Sequence, residues 1–205
     1  LLQQKFAKKP LLVQANIKAM SDGYNYGNNI HLTASTYRIE PIEGNKGFYT
    51  DVNGNTATAY GLIAAAEKAG IQLFLGSYPI TPATDILQEM AKRKDFGVKA
   101  LQMEDEIAGI TSSIGASFAG CLAATSTSGP GLALKSEALG LAVMTELPLV
   151  VIDVQRSGPS TGMPTKSEQT DLNQALYGRN GESPLVVLAA ASPTDCFESA
   201  FEASK

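Results

Sequence analysis

The chain has 205 residues, a length for one to two domains; 44% are hydrophobic, 18% are charged and the formal net charge is −4. That apolar content supports a substantial core and excludes a disordered chain, while 20 acidic against 16 basic residues leave no electrostatic footprint for nucleic acid. No uninterrupted apolar run reaches the ~18 residues of a membrane span, and the two cysteines, Cys121 and Cys196, make neither a disulfide framework nor a metal-spaced pair, which fits a reducing cytoplasm.

The opening Leu1-Leu2-Gln3-Gln4-Lys5 has no initiator methionine and lacks the basic start and apolar stretch of a signal peptide. With a last helix that stops in mid-pattern, it points to a fragment of a longer polypeptide. Residues 1–47 read as the tail of a preceding domain and a linker: one amphipathic helix over Pro10 to Met20, a stop at Ser21-Asp22-Gly23, then polar, turn-rich chain carrying His31, the one histidine. His31 lacks the setting of a catalytic base and reads as solvated.

From Phe48 the pattern becomes regular, and residues 48–205 read as one domain. A helix opens near Asn55 and stops at Gly70. Ile71 to Leu75 reads as a strand, and Thr81-Pro82 as the cap and first turn of a helix through Arg93. Val98 to Met103 is the next strand, followed by a helix from Glu104 to Gly120, on which Ile107, Ile110 and Ile114 face the core. Leu122 to Ser126, Leu149 to Val154 and Leu185 to Ala189 complete five strands. Helices over Leu132 to Thr145, Glu168 to Tyr177 and Thr194 to Ser204 separate or follow them. Apolar strands alternating with helices predict an α/β fold with a doubly wound, mainly parallel sheet covered on both faces. Cys121 then opens a strand as a small core residue, and Cys196 lies on the last helix without an activating neighbour.

In such sheets ligands collect beyond the carboxyl ends of the strands, where this sequence is least ordinary. Thr81 caps a helix, and the rigid prolines around it can also aim its hydroxyl at an anion. The carboxylates of Glu104, Asp105 and Glu106 are each stabilised by about 0.3–1 kcal/mol at a helix start, yet one of them can enter a pocket as a general acid or base. Thr125-Ser126-Thr127-Ser128-Gly129-Pro130-Gly131 is either a tight turn or an anion cradle, and it matches neither common phosphate fingerprint. Arg156, at the mouth of a strand, is placed to fork onto a carboxylate or to pair with the acidic cluster. No Ser/His/Asp or Cys/His set assembles, and the low charge content fits a module docking onto partners as well as a ligand-binding one.

The same loops resemble the alpha subunit of 2-oxoacid:ferredoxin (acceptor) oxidoreductases of the 2-oxoglutarate type. The resemblance runs in order through Gly54-Asn55, Tyr78-Pro79-Ile80-Thr81-Pro82, Glu104-Asp105-Glu106, Thr127-Ser128-Gly129-Pro130-Gly131, Glu146-Leu147-Pro148 and Gln155-Arg156-Ser157-Gly158-Pro159-Ser160-Thr161-Gly162. It implies the pyrimidine-binding domain of a thiamine diphosphate enzyme, with a gamma-type domain before it. By the same resemblance, Glu106 is the carboxylate on the pyrimidine ring nitrogen, with Glu104 as the competing assignment. Tyr78, Pro79, Ile80, Ser128 and Gly129 line the cofactor, while Thr81 and Arg156 hold the substrate carboxylate. The implied reaction converts a 2-oxoacid and coenzyme A into acyl-CoA, CO2 and reduced ferredoxin, with pyruvate or a branched-chain 2-oxoacid as alternatives to 2-oxoglutarate. No diphosphate motif and no iron–sulfur cysteine set is present. The resemblance therefore implies a beta subunit for the diphosphate and Mg2+, iron–sulfur clusters on partner chains or domains, a heteromeric cytoplasmic enzyme, and a fragment inactive alone.

Overall fold

Four short apolar runs pair into one parallel sheet in a computed structural model that describes residues 1–30, 37–41 and 43–205. The described chain divides into two units, Leu1–Tyr49 and Thr50–Lys205. His31 lies outside the described residues.

In the first unit, α1 (Leu2–Lys5) and α2 (Pro10–Ile30) bury no residue. Helix α2 runs through the expected stop at Ser21-Asp22-Gly23 and ends ten residues past Met20. A glycine in an exposed helix costs about 1 kcal/mol relative to alanine but does not forbid the helix. Here an ion pair from Lys18 to Asp22, 2.8 Å long and one turn apart, spans that stop.

The second unit opens with α3 (Gly54–Ala69). The Asn53 side chain caps it by accepting from Thr56 N at 2.9 Å, and Gly70 ends it with a positive φ of 68°. Then follow β1 (Leu73–Ser77), α4 (Thr84–Ala91), a 3-10 turn (Lys94–Phe96), β2 (Val98–Gln102), α5 (Glu106–Phe118) and β3 (Leu122–Thr127). The remaining elements are α6 (Gly129–Leu134), α7 (Ser136–Met144), β4 (Val150–Asp153), α8 (Leu172–Tyr177) and α9 (Pro193–Glu202). The strands lie in the order β2-β1-β3-β4, all parallel.

Alternation along the strands sorts two cores. Leu73, Leu75, Val150 and Ile152 pack with Leu62 and Ala66 of α3, Ile86 and Met90 of α4, and Ala200 of α9. Leu149 and Val151 pack instead with Ile110 and Ile114 of α5, Leu132 of α6, and Leu139 and Ala142 of α7. The fold is thus α/β and doubly wound, as the sequence predicts. Gly61 lets α3 lie against α9, since a Cβ there would overlap the Phe197 carbonyl and stand 2.9 Å from the Ala200 Cβ.

Several expectations need correction. Leu185 to Ala189 does not join the sheet: its alternation is present, with Val186 90% exposed, but it has no ladder partner among the described residues. Strand β1 begins and ends two residues later than Ile71 to Leu75, and Cys121 is half-buried just ahead of β3. The expected single helix over Leu132 to Thr145 is two, broken at Lys135. Ile107 is 50% exposed, because the i, i+4 pair Ile110 and Ile114 takes the inner face of α5. Helix α8 starts at Leu172 rather than Glu168, whose carboxylate instead accepts from Ser157 Oγ at 2.6 Å.

Candidate functional site

From β1 the chain crosses to β2 on one side of the sheet, and from β3 it crosses to β4 on the other, so the strand order reverses between β1 and β3. Crevices at such reversals are where open α/β sheets bind ligands. Buried hydroxyls knit the two strand ends together: Ser77 Oγ lies 2.9 Å from the Ser126 carbonyl and 2.8 Å from Ser126 Oγ, and Tyr78 Oη lies 3.1 Å from Thr127 Oγ1. Burial, reinforced by the facing Glu106 carboxylate and opposed by the Thr127 hydrogen bond, holds the Tyr78 hydroxyl well above the usual phenol range. It keeps its proton at any working pH.

The acidic cluster after β2 resolves by capping. Asp105 is the N-cap of α5 and accepts from Ala108 N at 2.7 Å. Glu104 is exposed, while Glu106, the first residue of the helix, is half-buried. Gly131 closes this corner: a Cβ there would overlap Thr127 Oγ1 and Tyr78 Oη and stand 3.0 Å from Glu106 Cγ. Ser128 and Gly129 are buried beside it, and the Ser128 hydroxyl has no partner among the described residues. Of the loop after β1, Pro79 and Thr81 are exposed and Ile80 is half-buried.

Thr81 does not cap a helix. The Ile80 carbonyl accepts from Thr84 N at 2.9 Å, so α4 begins after a turn, and Pro82 precedes the helix rather than opening it. Instead the Thr81 carbonyl accepts from Arg156 Nη1 at 2.8 Å, while Nη2 donates to the Thr161 carbonyl at 2.7 Å. Arg156 is 7% exposed and its Nε has no partner among the described residues. Among the described residues it forms no ion pair, so pairing with the acidic cluster is not its role. A guanidinium without an ion pair among the described residues keeps donors that can bind a carboxylate. A cavity of about 400 Å³ flanks it, lined by Gly129, Arg156, Ser157, Glu168 and Asp171 among others.

Sequence reading missed two buried features here. Lys135, 0% exposed, donates to the Glu106 carbonyl at 2.6 Å and to Thr125 Oγ1 at 3.2 Å. Its signal was a lone cation after Leu132-Ala133-Leu134, in a helical stretch that is mostly apolar. Asp153, at the end of β4, meets Asp171; burial first, then the charge and hydrogen bond of Asp171, pushes Asp153 up to about 8. Asp153 therefore keeps its proton at neutral pH. An acid closing the apolar run Leu149-Val150-Val151-Ile152 was the available signal. Among the described residues no group of three metal-ligating side chains is present.

A doubly wound sheet with a half-buried glutamate, an unpartnered buried hydroxyl and an unneutralised arginine around its reversal point defines a cofactor-binding α/β domain. Residues 64–205 match the family model "Pyruvate flavodoxin/ferredoxin oxidoreductase, thiamine diP-bdg", and the chain belongs to that family as its thiamine diphosphate-binding domain. It is 59% identical over 202 residues to the 2-oxoglutarate oxidoreductase subunit KorA of Mycobacterium tuberculosis, covering 98% of this chain and 31% of that protein. To the 2-oxoglutarate synthase subunit KorA of Archaeoglobus fulgidus it is 48% identical over 155 residues, covering 75% of this chain and 43% of the relative. Its structure resembles the 2-oxoglutarate:ferredoxin oxidoreductase from Magnetococcus marinus, solved with 2-oxoglutarate, coenzyme A and succinyl-CoA bound, with a TM-score of 0.77 and 41% identity over 99% of this chain and 35% of that one. The chain thus spans less than half the length of these relatives.

Proposed function

We propose that the chain is part of the alpha subunit of a thiamine diphosphate-dependent 2-oxoacid:ferredoxin oxidoreductase. Its reaction takes 2-oxoglutarate and coenzyme A to acyl-CoA, CO2 and reduced ferredoxin. The observation that carries the reading is the half-buried Glu106 at the sheet's reversal point, facing a buried tyrosine. Relatives named for 2-oxoglutarate favour that substrate over pyruvate or a branched-chain 2-oxoacid.

The residues fit the cofactor's aminopyrimidine. Glu106 offers a carboxylate, the orphaned Ser128 hydroxyl offers a polar contact, and Gly129 and Gly131 leave room where side chains would collide with Asp171 and Tyr78. Tyr78, Pro79 and Ile80 form the wall beside it. When bound, thiamine diphosphate supplies the carbon nucleophile toward the substrate's oxo carbon and a sink for its electrons. Glu106 would share a proton with the pyrimidine nitrogen and so favour the ring's imino tautomer, while the Tyr78 hydroxyl, held protonated beside Thr127 Oγ1, faces that carboxylate. Arg156 uses its spare Nε and Nη hydrogens on the substrate carboxylate, with the exposed Thr81 hydroxyl at the loop it braces.

The diphosphate and Mg2+ fall to a beta subunit, the iron–sulfur clusters to partner chains or domains, and residues 1–47 to the tail of a gamma-type domain. No described helix is long and apolar enough to cross a membrane; a cytoplasmic location is part of the proposal. The test is a 2-oxoacid panel on the intact complex with a dye acceptor, with and without added thiamine diphosphate. Cofactor-dependent dye reduction fastest with 2-oxoglutarate supports the reading. Reduction indifferent to the cofactor overturns it.

A further inference from the structure

We propose that Lys135 is a positioning residue for Glu106: its ammonium, sealed beneath the first turn of α5, pins the Glu106 backbone and thereby sets the carboxylate against the cofactor ring. The inference rests on the role given to Glu106 above.

A lysine with no solvent contact is an expensive occupant of a core, and an apolar side chain of similar volume commonly fills such a place at lower cost. Its neighbours along the chain, Leu132 and Leu139, are apolar core residues of the same two helices. What distinguishes the position is where the ammonium lands. One hydrogen bond, at 2.6 Å, goes to the carbonyl of the first residue of α5, and another, at 3.2 Å, goes to Thr125 Oγ1 on β3. The Tyr78 ring lies 5.4 Å away. Lys135 therefore joins α5, β3 and the loop after β1, the three elements that bring Glu106, Thr127 and Tyr78 together.

The approach is open because residue 109 is glycine, where a Cβ would stand 3.4 Å from the ammonium and 3.3 Å from the Gly76 carbonyl. The break between α6 and α7 falls at Lys135 itself, which keeps right-handed helical backbone there. No carboxylate comes within ion-pair distance among the described residues. The charged or titratable groups facing Lys135 are Glu106 and Asp105 from α5 and Tyr78 from the loop after β1. Burial pulls the ammonium down to about 8 against the attraction of Glu106 and Asp105. The grip on α5 is thus charge-assisted at neutral pH and weakens above it.

The test uses the intact complex and reads thiamine diphosphate affinity, with Mg2+ present, by calorimetry from pH 6.5 to 9.5. Wild type should bind progressively more weakly above pH 8. K135M should bind about tenfold more weakly at pH 7 with no further loss to pH 9.5, the size seen when outer partners of a site are removed. Its melting temperature should equal or exceed that of wild type, where a merely structural lysine would lower it. Wild-type affinity flat across the whole range overturns the proposal without any variant, and so does K135M with wild-type affinity and turnover. E106Q separates the two claims. If E106Q is inactive while K135M behaves as wild type, only the role of Lys135 falls; if E106Q turns over normally, the functional reading falls with it.

Discussion

Gly131→Ala is the smallest change that reaches every group at the head of the crevice. The added methyl would overlap Thr127 Oγ1 and Tyr78 Oη and press within 3.0 Å of Glu106 Cγ. Tyr78 and Thr127 are buried and bonded to each other at 3.1 Å, so neither can yield without breaking that contact. Overpacking of this kind costs about 1–3 kcal/mol, and a displacement of about 1 Å at a reacting centre costs on the order of 10²-fold in rate. Gly140→Ala is the matched control. It lies inside α7 with nothing within 4 Å of its added Cβ, so it should stabilise by about 0.5–1 kcal/mol. The assay is the urea midpoint together with dye-coupled turnover for both variants in the full complex. Gly131→Ala should lose on both measures while Gly140→Ala loses on neither. A Gly131→Ala enzyme with wild-type midpoint and rate would refute the geometry argued for Tyr78, Thr127 and Glu106.

Other perturbations address the other side of the crevice. Arg156→Lys keeps the charge but cannot span the Thr81 and Thr161 carbonyls together. It should raise KM for the 2-oxoacid by about 10- to 100-fold, the loss of one charged hydrogen bond of about 1.5–3 kcal/mol, with a smaller change in kcat; an unchanged KM removes the clamp assignment. Asp153 is raised from 3.8 to about 8, so between those values the folded chain holds a proton that the unfolded chain releases, and stability falls as pH rises through that window. Asp153→Asn, which keeps the shape of the side chain but cannot titrate, should flatten the fall in melting temperature between pH 4 and 8. Identical slopes in the variant and wild type would show that Asp153 does not hold its proton through that window.

The sheet was legible because each of its strands is an apolar run bounded by glycines or polar turns, and alternation with helices fixes parallel pairing. Leu185 to Ala189 carries the same local signal, yet pairing depends on a neighbour, which no local rule supplies. The helix through Arg93 was misplaced because Thr-Pro reads as a cap, whereas here the Thr81 carbonyl serves an arginine 75 residues away. Asp105 was the better-placed cap all along: aspartate outranks glutamate at that position, and so Glu106, not Asp105, is left facing the crevice. Lys135 and the Asp153–Asp171 pair stayed hidden for a different reason. A buried charge looks like a surface charge in sequence until the packing around it is known.

The most direct measurement is the turnover of Glu106→Gln in the assembled complex saturated with thiamine diphosphate and Mg2+. The amide keeps the shape of the side chain and removes its capacity to take a proton. Turnover should fall by at least about 10²-fold, the low end for general acid–base catalysis, while the melting temperature stays within a degree or so of wild type. Near-normal turnover at full cofactor occupancy would contradict the account.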